Sequence, residues 1–596
     1  MSGLSTFGSF TQARLGIYAS QAGLSITGNN ISNINTPGYT RQKLEQTSFY
    51  AGGTDRYYSS GCLSIGNGVL CTGTSQMRDP YLDLRYRNEM ASVGSMDSKM
   101  GNLSEIQRIL DETGKGEDGF GILGAQISDI FKQLEHLNNH TGLAEYDIQV
   151  RSSAESLAKL FNSYASQLKE VKKNADHALQ VDVDSVNTIL TSIRDLSANI
   201  RKAELHGDGA LELRDERNLL IDKLSEFMKI DVTYGEENVG GTKVEKLMIS
   251  LADANPDKGS PTDQSQLING IYGTQISIAD DAHLTVSLDA LVDRHGKKYL
   301  DPKTMTYSQA VTLADNDLYG SLQSQREFLT KSGEFSTAED LALDPKATEK
   351  RGVVFYQKAL DLLASQFANA FNDANQGFVR NENGQYVNSD GNVIMDENKI
   401  PYTDASFQGL DTHGKEIMME KIKKAGGQFL GCPLFSTSGN SDNTDGINAS
   451  NISISNTWSK GPKIVSSFIQ HGSAGIGSTD SSNIGHMLVI LGTKMDYLAK
   501  ENNQDSVMFH GTFNEMWDNL GTVLGNDMMI TNTMLNTYQT ASVQLETSRD
   551  SVSSVDLNDE AMNLMQYSKS YSAACRLMTT VDTVLEKLIN GTGVTR

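Results

Sequence analysis

Proline and tryptophan are scarce in this chain of 596 residues: nine and two, against 53 glycines. Few prolines leave room for long helices, because an interior proline removes a backbone donor and clashes with the preceding turn. Cysteine is almost absent, with Cys62, Cys71, Cys432 and Cys575 and no CxxC pair. That spacing offers no thiolate metal site, and a chain of this size needs no disulfide staples. Inert thiols are the better reading, with a Cys62–Cys71 bridge left open. No apolar run approaches 18 residues, so nothing is expected to span a membrane. The opening "MSGLSTFGSFTQARLGIY" lacks a basic head followed by an apolar run, so no Sec-type signal is visible, and by that rule alone the chain reads as cytoplasmic. Basic residues are outnumbered, 51 Lys and Arg against 74 Asp and Glu, giving a net charge of -23. Such a surface repels nucleic acid and anionic membranes.

Catalytic patterns are also missing. "GKGEDG" at 114–119 fits GxGxxG, but it follows a helical stretch and carries Glu117 and Asp118, which would repel a phosphate. His136 and His140 share a helix face without a third ligand, so they read as solvated histidines. A calcium loop starting at "SDNTDG", 441–446, would have Ser441 at its first ligand position and Ile452 where the bidentate Glu belongs, so the stretch reads as a turn. No GxSxG elbow or Walker A loop occurs. Neither an enzyme nor a cofactor is expected.

What is present is helical periodicity. Phe10, Ile17, Leu24 and Ile31 recur by sevens, a narrow apolar seam of the kind that seeks a partner helix. Leu564, Tyr567, Tyr571, Ala574, Met578, Val581, Leu585 and Leu588 alternate by three and four at the other end, with Asn558 as the expected cap. Two matched seams predict that the termini come together as a coiled coil. Further stripes run through Val150–Val171, Val186–Ile200 and Tyr356–Ala370, and 485–550 reads helical as well. The period changes to two at Leu247, Ile249 and Leu251 and again at Leu284, Val286 and Leu288. No tandem repeat is evident. The expected fold is mainly α with β-rich insertions. Residues 1–60 plus 545–596 form a terminal coiled-coil domain. Residues 61–235, 350–377 and 451–544 form a long-helix bundle. Residues 236–349 form an outer β-rich insertion, and 378–450 a second, loop-rich one.

The stretch "NNISNINTPGYTRQ", 29–42, is the least ordinary. Its short amides can satisfy free backbone groups where a helix ends, and Pro37 with Gly38 favours a tight turn. This explains a stop, but not the number of asparagines. The stretch resembles the N-terminal signature of the axial proteins of the bacterial flagellum, the rod, hook and hook-associated proteins. Asn29, Asn30, Ile31, Asn33, Thr36, Gly38 and Tyr39 carry the match, and Arg41 and Gln42 extend it in the manner of the hook-associated protein 1 family. "LRDERNLLIDKLSEFMKIDV" is similar around Asp215 and Arg217, with Asn218 where the family usually has Asp. "YQKALDLLASQFANAFNDANQG" and "GINASNISIS" also match. Glu560, Ala561, Asn563 and Leu564 fit the junction branch, while Ser554 and Ser568 depart from it.

The resemblance implies a structural subunit between hook and filament that eases the join of a curved hook to a stiffer filament. It implies extracellular placement after export through the flagellar type III apparatus, which overrules the cytoplasmic reading. It also implies self-association in a ring, contacts with hook protein and hook-associated protein 3, and an export chaperone on the C-terminal helix. A hook or rod protein is the alternative; a hydrolase or an adhesin in an insertion is the reading from another class. The expected assembly interface comprises the N-terminal seam, the turn residues Asn29, Asn30, Ile31, Asn33, Thr36, Pro37, Gly38 and Tyr39, and the C-terminal stripe. Asn30→Ala or Asn33→Ala is expected to leave the isolated chain's stability unchanged.

Overall fold

The computed structural model describes residues 6–48, 68–110, 122–252, 265–302, 305–376, 381, 383, 385–388, 390–403, 406, 417–418, 421–427, 431–465, 482–501 and 504–591. Cys62 and the 114–119 glycine motif lie outside them. Elements follow in the order α1 (Thr6–Ser32), β1 (Gln42–Ser48), β2 (Val69–Gln76), α2 (Pro80–Leu110), α3 (Ile122–Asn139), α4 (Ala144–Leu205) and α5 (Leu211–Phe227). Strands β3 (Ile230–Val239), β4 (Thr242–Leu251), β5 (Gln266–Asn269), β6 (Tyr272–Gly273), β7 (Ile276–Ile278), β8 (Val286–Leu288) and β9 (Val311–Thr312) come next. Then come α6 (Gly320–Thr330), α7 (Ala338–Leu343), α8 (Val353–Gln376), β10 (Phe435–Ser436), β11 (Ser453–Ile454) and α9 (Asn456–Ser459). The chain closes with α10 (Ser482–Gly492), β12 (Met495–Glu501), β13 (Gln504–Gly511), α11 (Phe513–Ser553) and α12 (Leu557–Gly591).

The architecture is mainly helical with several small sheets. The two stripes at 150–171 and 186–200 belong to one helix, α4, of 62 residues, about 93 Å long at 1.5 Å per residue. No proline or glycine falls inside it, and Ala175, Leu179 and Val183 carry the buried row across the gap. One core joins α4 to α3, α8 and α11 through Leu134, Leu157, Phe161, Phe367, Phe513 and Trp458. Phe367 stacks on Phe371 with ring centroids 4.6 Å apart and meets Phe513 edge-on at 5.3 Å.

The structure departs from three of these expectations. The 485–550 region is not helical throughout: an antiparallel hairpin, β12–β13, pairs Met495 with Gly511 and Tyr497 with Phe509. Its apolar residues fit either period, and the decisive signal is the reciprocal capping box of Thr512 and Glu515 that starts α11 afresh. The β-rich insertion is not separately cored either. Its strands start at Ile230, and Leu247, Ile249 and Leu267 join the same apolar core as Leu190 and Ile193 of α4. Helix α6, inside the expected insertion, packs on α2. Leu284 is not part of the β8 alternation; it sits at φ 47° in a turn where Asp281 accepts the N–H groups of His283 and Thr285.

In the 378–450 segment Tyr386, Ile394, Tyr402 and Ile422 make a small core of their own. The same side-chain turn recurs at Asn388 and Asp396, each accepting the backbone N–H groups two and four residues on. That local recurrence is finer than the loop-rich insertion expected from the sequence.

Candidate assembly surface

Helices α1 and α12 pack antiparallel. Gly16 faces Ala574 and Gly23 faces Tyr567, so seven residues up one helix match seven down the other. The row of α1 that turns inward is not the apolar one. Ala13, Ser20, Gly23, Thr27 and Asn30 are buried and Gly16 is half-buried, a three-four alternation of small residues. Phe10 is exposed, and Ile17, Leu24 and Ile31 lie beside the seam, half-buried. Small residues win the centre because they let the backbone approach the partner row, at Ala574 and at the bulky Tyr567 ring. The spacing of sevens was the right signal on the wrong row; the glycines and alanine at matching spacing were the missed one.

On α12, Tyr567, Tyr571, Ala574, Met578 and Leu585 are half-buried and Val581 is buried. Leu564 and Leu588 point outward instead. Of this 35-residue helix only Glu560 and Val581 are buried in the described chain. Met562, Met565, Leu577, Val584 and Ile589 are exposed on it, as are Met529, Ile530, Met534 and Val543 on α11. The N-cap of α12 is Asp556, whose carboxylate accepts the N–H of Asn558 at 2.7 Å, and not Asn558 itself.

The turn after α1 forms a clasp. Asn33 N–H donates to Asn29 O and Thr36 N–H to Asn33 O, which ends the helix. Tyr39 N–H donates to Thr36 O across Pro37 and Gly38, whose φ of 79° a glycine adopts without strain. Leu219 of α5 packs against Gly38. Asn30, 1% exposed, accepts Gln42 N–H at 3.0 Å and donates to Gln42 O at 2.9 Å; its Oδ1 also accepts the Tyr39 hydroxyl at 2.9 Å. It acts as a strand-like partner for the backbone of Gln42. Asn33 bonds both the carbonyl and the Oδ1 of Asn29, and Thr36 donates to Asn33. Asn29 reaches Glu212 of α5 at 3.4 Å. The asparagines therefore serve this chain first. Asn30 in particular is engaged internally, so the expectation that its loss leaves the isolated chain's stability unchanged does not survive.

The clasp is bolted to both neighbours. Thr40 N–H donates to Asp215 Oδ2 at 3.0 Å, and Gln42 Nε2 to Glu212 at 3.1 Å. Burial raises the Asp215 carboxyl above its usual range, against the pull of Thr40 and Arg78. Burial, with Glu212, Asp215 and Glu560 nearby, likewise pushes the Tyr39 hydroxyl up. Arg41 N–H donates to Ser553 O at the end of α11, and its side chain meets Glu560 at 2.8 Å and Asp559 at 3.3 Å. None of these long-range partners could be read from sequence, because they lie some 170 to 520 positions away.

Known proteins match along the chain. Residues 13–40 match the flagella basal body rod protein domain, 103–386 the helical domain of flagellar hook-associated protein FlgK, and 548–591 the flagellar basal body rod FlgEFG protein C-terminal domain. Flagellar hook-associated protein 1 of Bacillus subtilis is 27% identical over 595 residues, 99% of each chain. Its counterpart in Escherichia coli is 22% identical, covering 97% of this chain and 98% of that one. Over nearly its whole length the chain is similar to flagellar hook-associated protein 1. A solved structure, the flagellar hook junction protein FlgK from Burkholderia pseudomallei, aligns with 79% of this chain and 100% of that one at 13% identity and a TM-score of 0.45, too loose a likeness to bear on the placement of parts.

The hook-associated protein 1 family is one of structural flagellar components at the join of hook and filament, not of enzymes, and this chain is a flagellar protein associated with the hook. The two rod-type matches fall on the paired terminal helices: the first ends at Thr40, where the clasp docks on α5, and the second takes in the bend at 554–556. His136 and His140 are both exposed, and the His140 ring stacks on Tyr146 with centroids 4.4 Å apart. Among the described residues no helix is long and apolar enough to cross a membrane.

Proposed function

We propose that this chain is a subunit of a ring joining hook to filament, and that the ring assembles through the outward faces of α1, α11 and α12. The observation that carries this is the helix α12: 35 residues with two buried side chains and a run of exposed apolar ones. A monomer rarely leaves so much apolar surface uncovered without a partner for it. Phe10, Ile17, Leu24 and Ile31 beside the seam, and Leu564 and Leu588 beyond it, supply surface that a neighbouring copy would bury. The paired terminal helices, Thr6–Ser32 and Leu557–Gly591, form the inner layer. The long-helix bundle, with the strands that share its core, forms the next, and the loops of 378–450 face outward.

Hook protein meets one side of the ring and hook-associated protein 3 the other. The subunit leaves the cell through the flagellar type III apparatus and acts outside it. Before export a chaperone covers the C-terminal helix, which in this reading is the most exposed apolar element. Because α12 buries so little, it opens at low cost in the free chain and gains its order from neighbours.

Deleting the gene tests the function. Cells with hooks, no filaments and flagellin in the medium are expected; loss of the hook itself would point to a hook or rod subunit and sink the reading. The surface is tested with Leu577→Asp, which should melt like the parent as a free chain yet fail to restore filaments. Full restoration would remove α12 from the interface.

A further inference from the structure

Where the clasp meets the bundle, a cleft of about 210 Å³ opens between the end of β2, the start of α2, α5, and strands β3 and β4. Four arginines line it, Arg78, Arg87, Arg214 and Arg217, beside Asp83, Glu245, Asn218 and Tyr234. On a chain with net charge -23 this is an unusual gathering of guanidinium groups.

The cleft is short of acceptors. Glu245 spends one carboxylate oxygen on Arg214 and the other on Arg217. Asp83 spends both on Arg78, at 3.2 and 3.4 Å. Asn218 Oδ1 accepts the Tyr234 hydroxyl at 2.9 Å and Arg87 at 3.5 Å. Arg87 Nε is taken by Asp222 at 2.7 Å. The side-chain oxygens of Glu245, Asp83 and Asn218 are therefore in use. Two buried donors are not: Arg217 Nε and Arg78 Nη1 have no hydrogen-bond partner among the described residues. Arg78 has Asp215 Oδ1 at 3.9 Å to turn to, so the weight rests on Arg217. It is 2% exposed, holds Glu245 by one terminal nitrogen only, and lies over the Tyr234 ring at 5.7 Å. A buried guanidinium N–H without an acceptor is costly, and the volume exceeds what one water fills by roughly tenfold.

We propose that this cleft is an anion site that takes a carboxylate or phosphate group, with Arg217 as the principal donor and Arg78 as the second. The planar fork of arginine presents paired donors to two oxygens of one such group, and low exposure strengthens the bond. Glu245 and Asp83 hold the guanidinium groups in place and limit the affinity. The ligand source is either a free anion or an Asp or Glu side chain of a second copy of this chain. The site does not depend on the junction reading.

Binding of inorganic phosphate to the full-length chain, by calorimetry at ionic strength held with chloride, is the test. One saturable site is expected. Arg217→Met should weaken it about tenfold or more, the scale of a charge-assisted hydrogen bond, and Glu245→Gln should tighten it about threefold. No saturable binding at about 20 mM phosphate, a concentration that would reveal even millimolar affinity, overturns the site. So does unchanged affinity in a folded Arg217→Met chain. If that variant does not fold, Glu245→Gln decides alone, and affinity equal to the parent's refutes the proposal. Sedimentation in the same buffers separates the sources. Phosphate that disperses self-associated chains supports a neighbour's carboxylate in the cleft; phosphate that binds without changing association supports a free anion.

Discussion

Gly23 and Tyr567 are packed so closely that a methyl group on the glycine would lie 2.6 Å from ring carbons of the tyrosine. Gly28, five residues on in the same helix, has nothing within 4 Å of the same position. The pair gives opposite signs for one substitution. Gly28→Ala should raise the protection of α1 by about 0.5–1 kcal/mol, the ordinary helix-propensity gain. Gly23→Ala should lose that gain and more by displacing the ring, and Tyr567→Ala should restore part of it in the double variant. Amide exchange across residues 6–32 of the isolated chain reads all three. Greater protection in Gly23→Ala would show that the seam is looser than described.

Asn30→Ala should destabilise the clasp by about 2–3 kcal/mol, since it orphans the buried N–H and C=O of Gln42. Asn33→Ala loses only local bonds in a half-exposed turn and should cost under about 1 kcal/mol. Denaturant unfolding of the two variants, with exchange at Gln42, separates them. Equal effects would mean that Asn30 is no more than a helix stop.

Asp344 supplies a pH dependence. Burial pushes its carboxyl up, but Lys350 at 2.8 Å and the backbone N–H of Lys346 pull it further down, to about 2 against an ordinary 3.8. A carboxylate depressed in the folded chain adds stability that is present above pH 3.8 and is lost as pH falls toward 2. The contribution is about 2 kcal/mol at neutral pH. Thermal melts of the parent should fall faster across that window than those of Asp344→Asn, which starts lower and stays flatter. Parallel curves would show that the carboxyl titrates normally.

The terminal pairing was legible because seven-residue spacing survives any choice of row. Which row faces in was not, since Phe10, Ile17, Leu24 and Ile31 look like the better core than Ala13, Ser20, Gly23 and Thr27. Hydrophobicity names the stickiest face of a helix, while close approach is decided by the smallest one, and on α1 the two lie side by side. The long helices were legible as stripes, yet the continuity of α4 needed Ala175 and Leu179 to be weighed as core among lysines. The hairpin at 495–511 was hidden because Tyr497, Leu498, Val507 and Phe509 suit either period. The clasp was visible as a turn, but Asp215, Glu212 and Glu560 are brought to it only by the fold.

Thr40, Arg41 and Gln42 are the three residues from which both ends of the polypeptide hang. Backbone and side-chain bonds run from them to α5, to the last turn of α11 and to the first turn of α12. A pull on either terminal helix is therefore shared among bonds loaded in parallel, not broken one after another as in a peeling strand. The clasp works as a rivet. It resists until several bonds yield together.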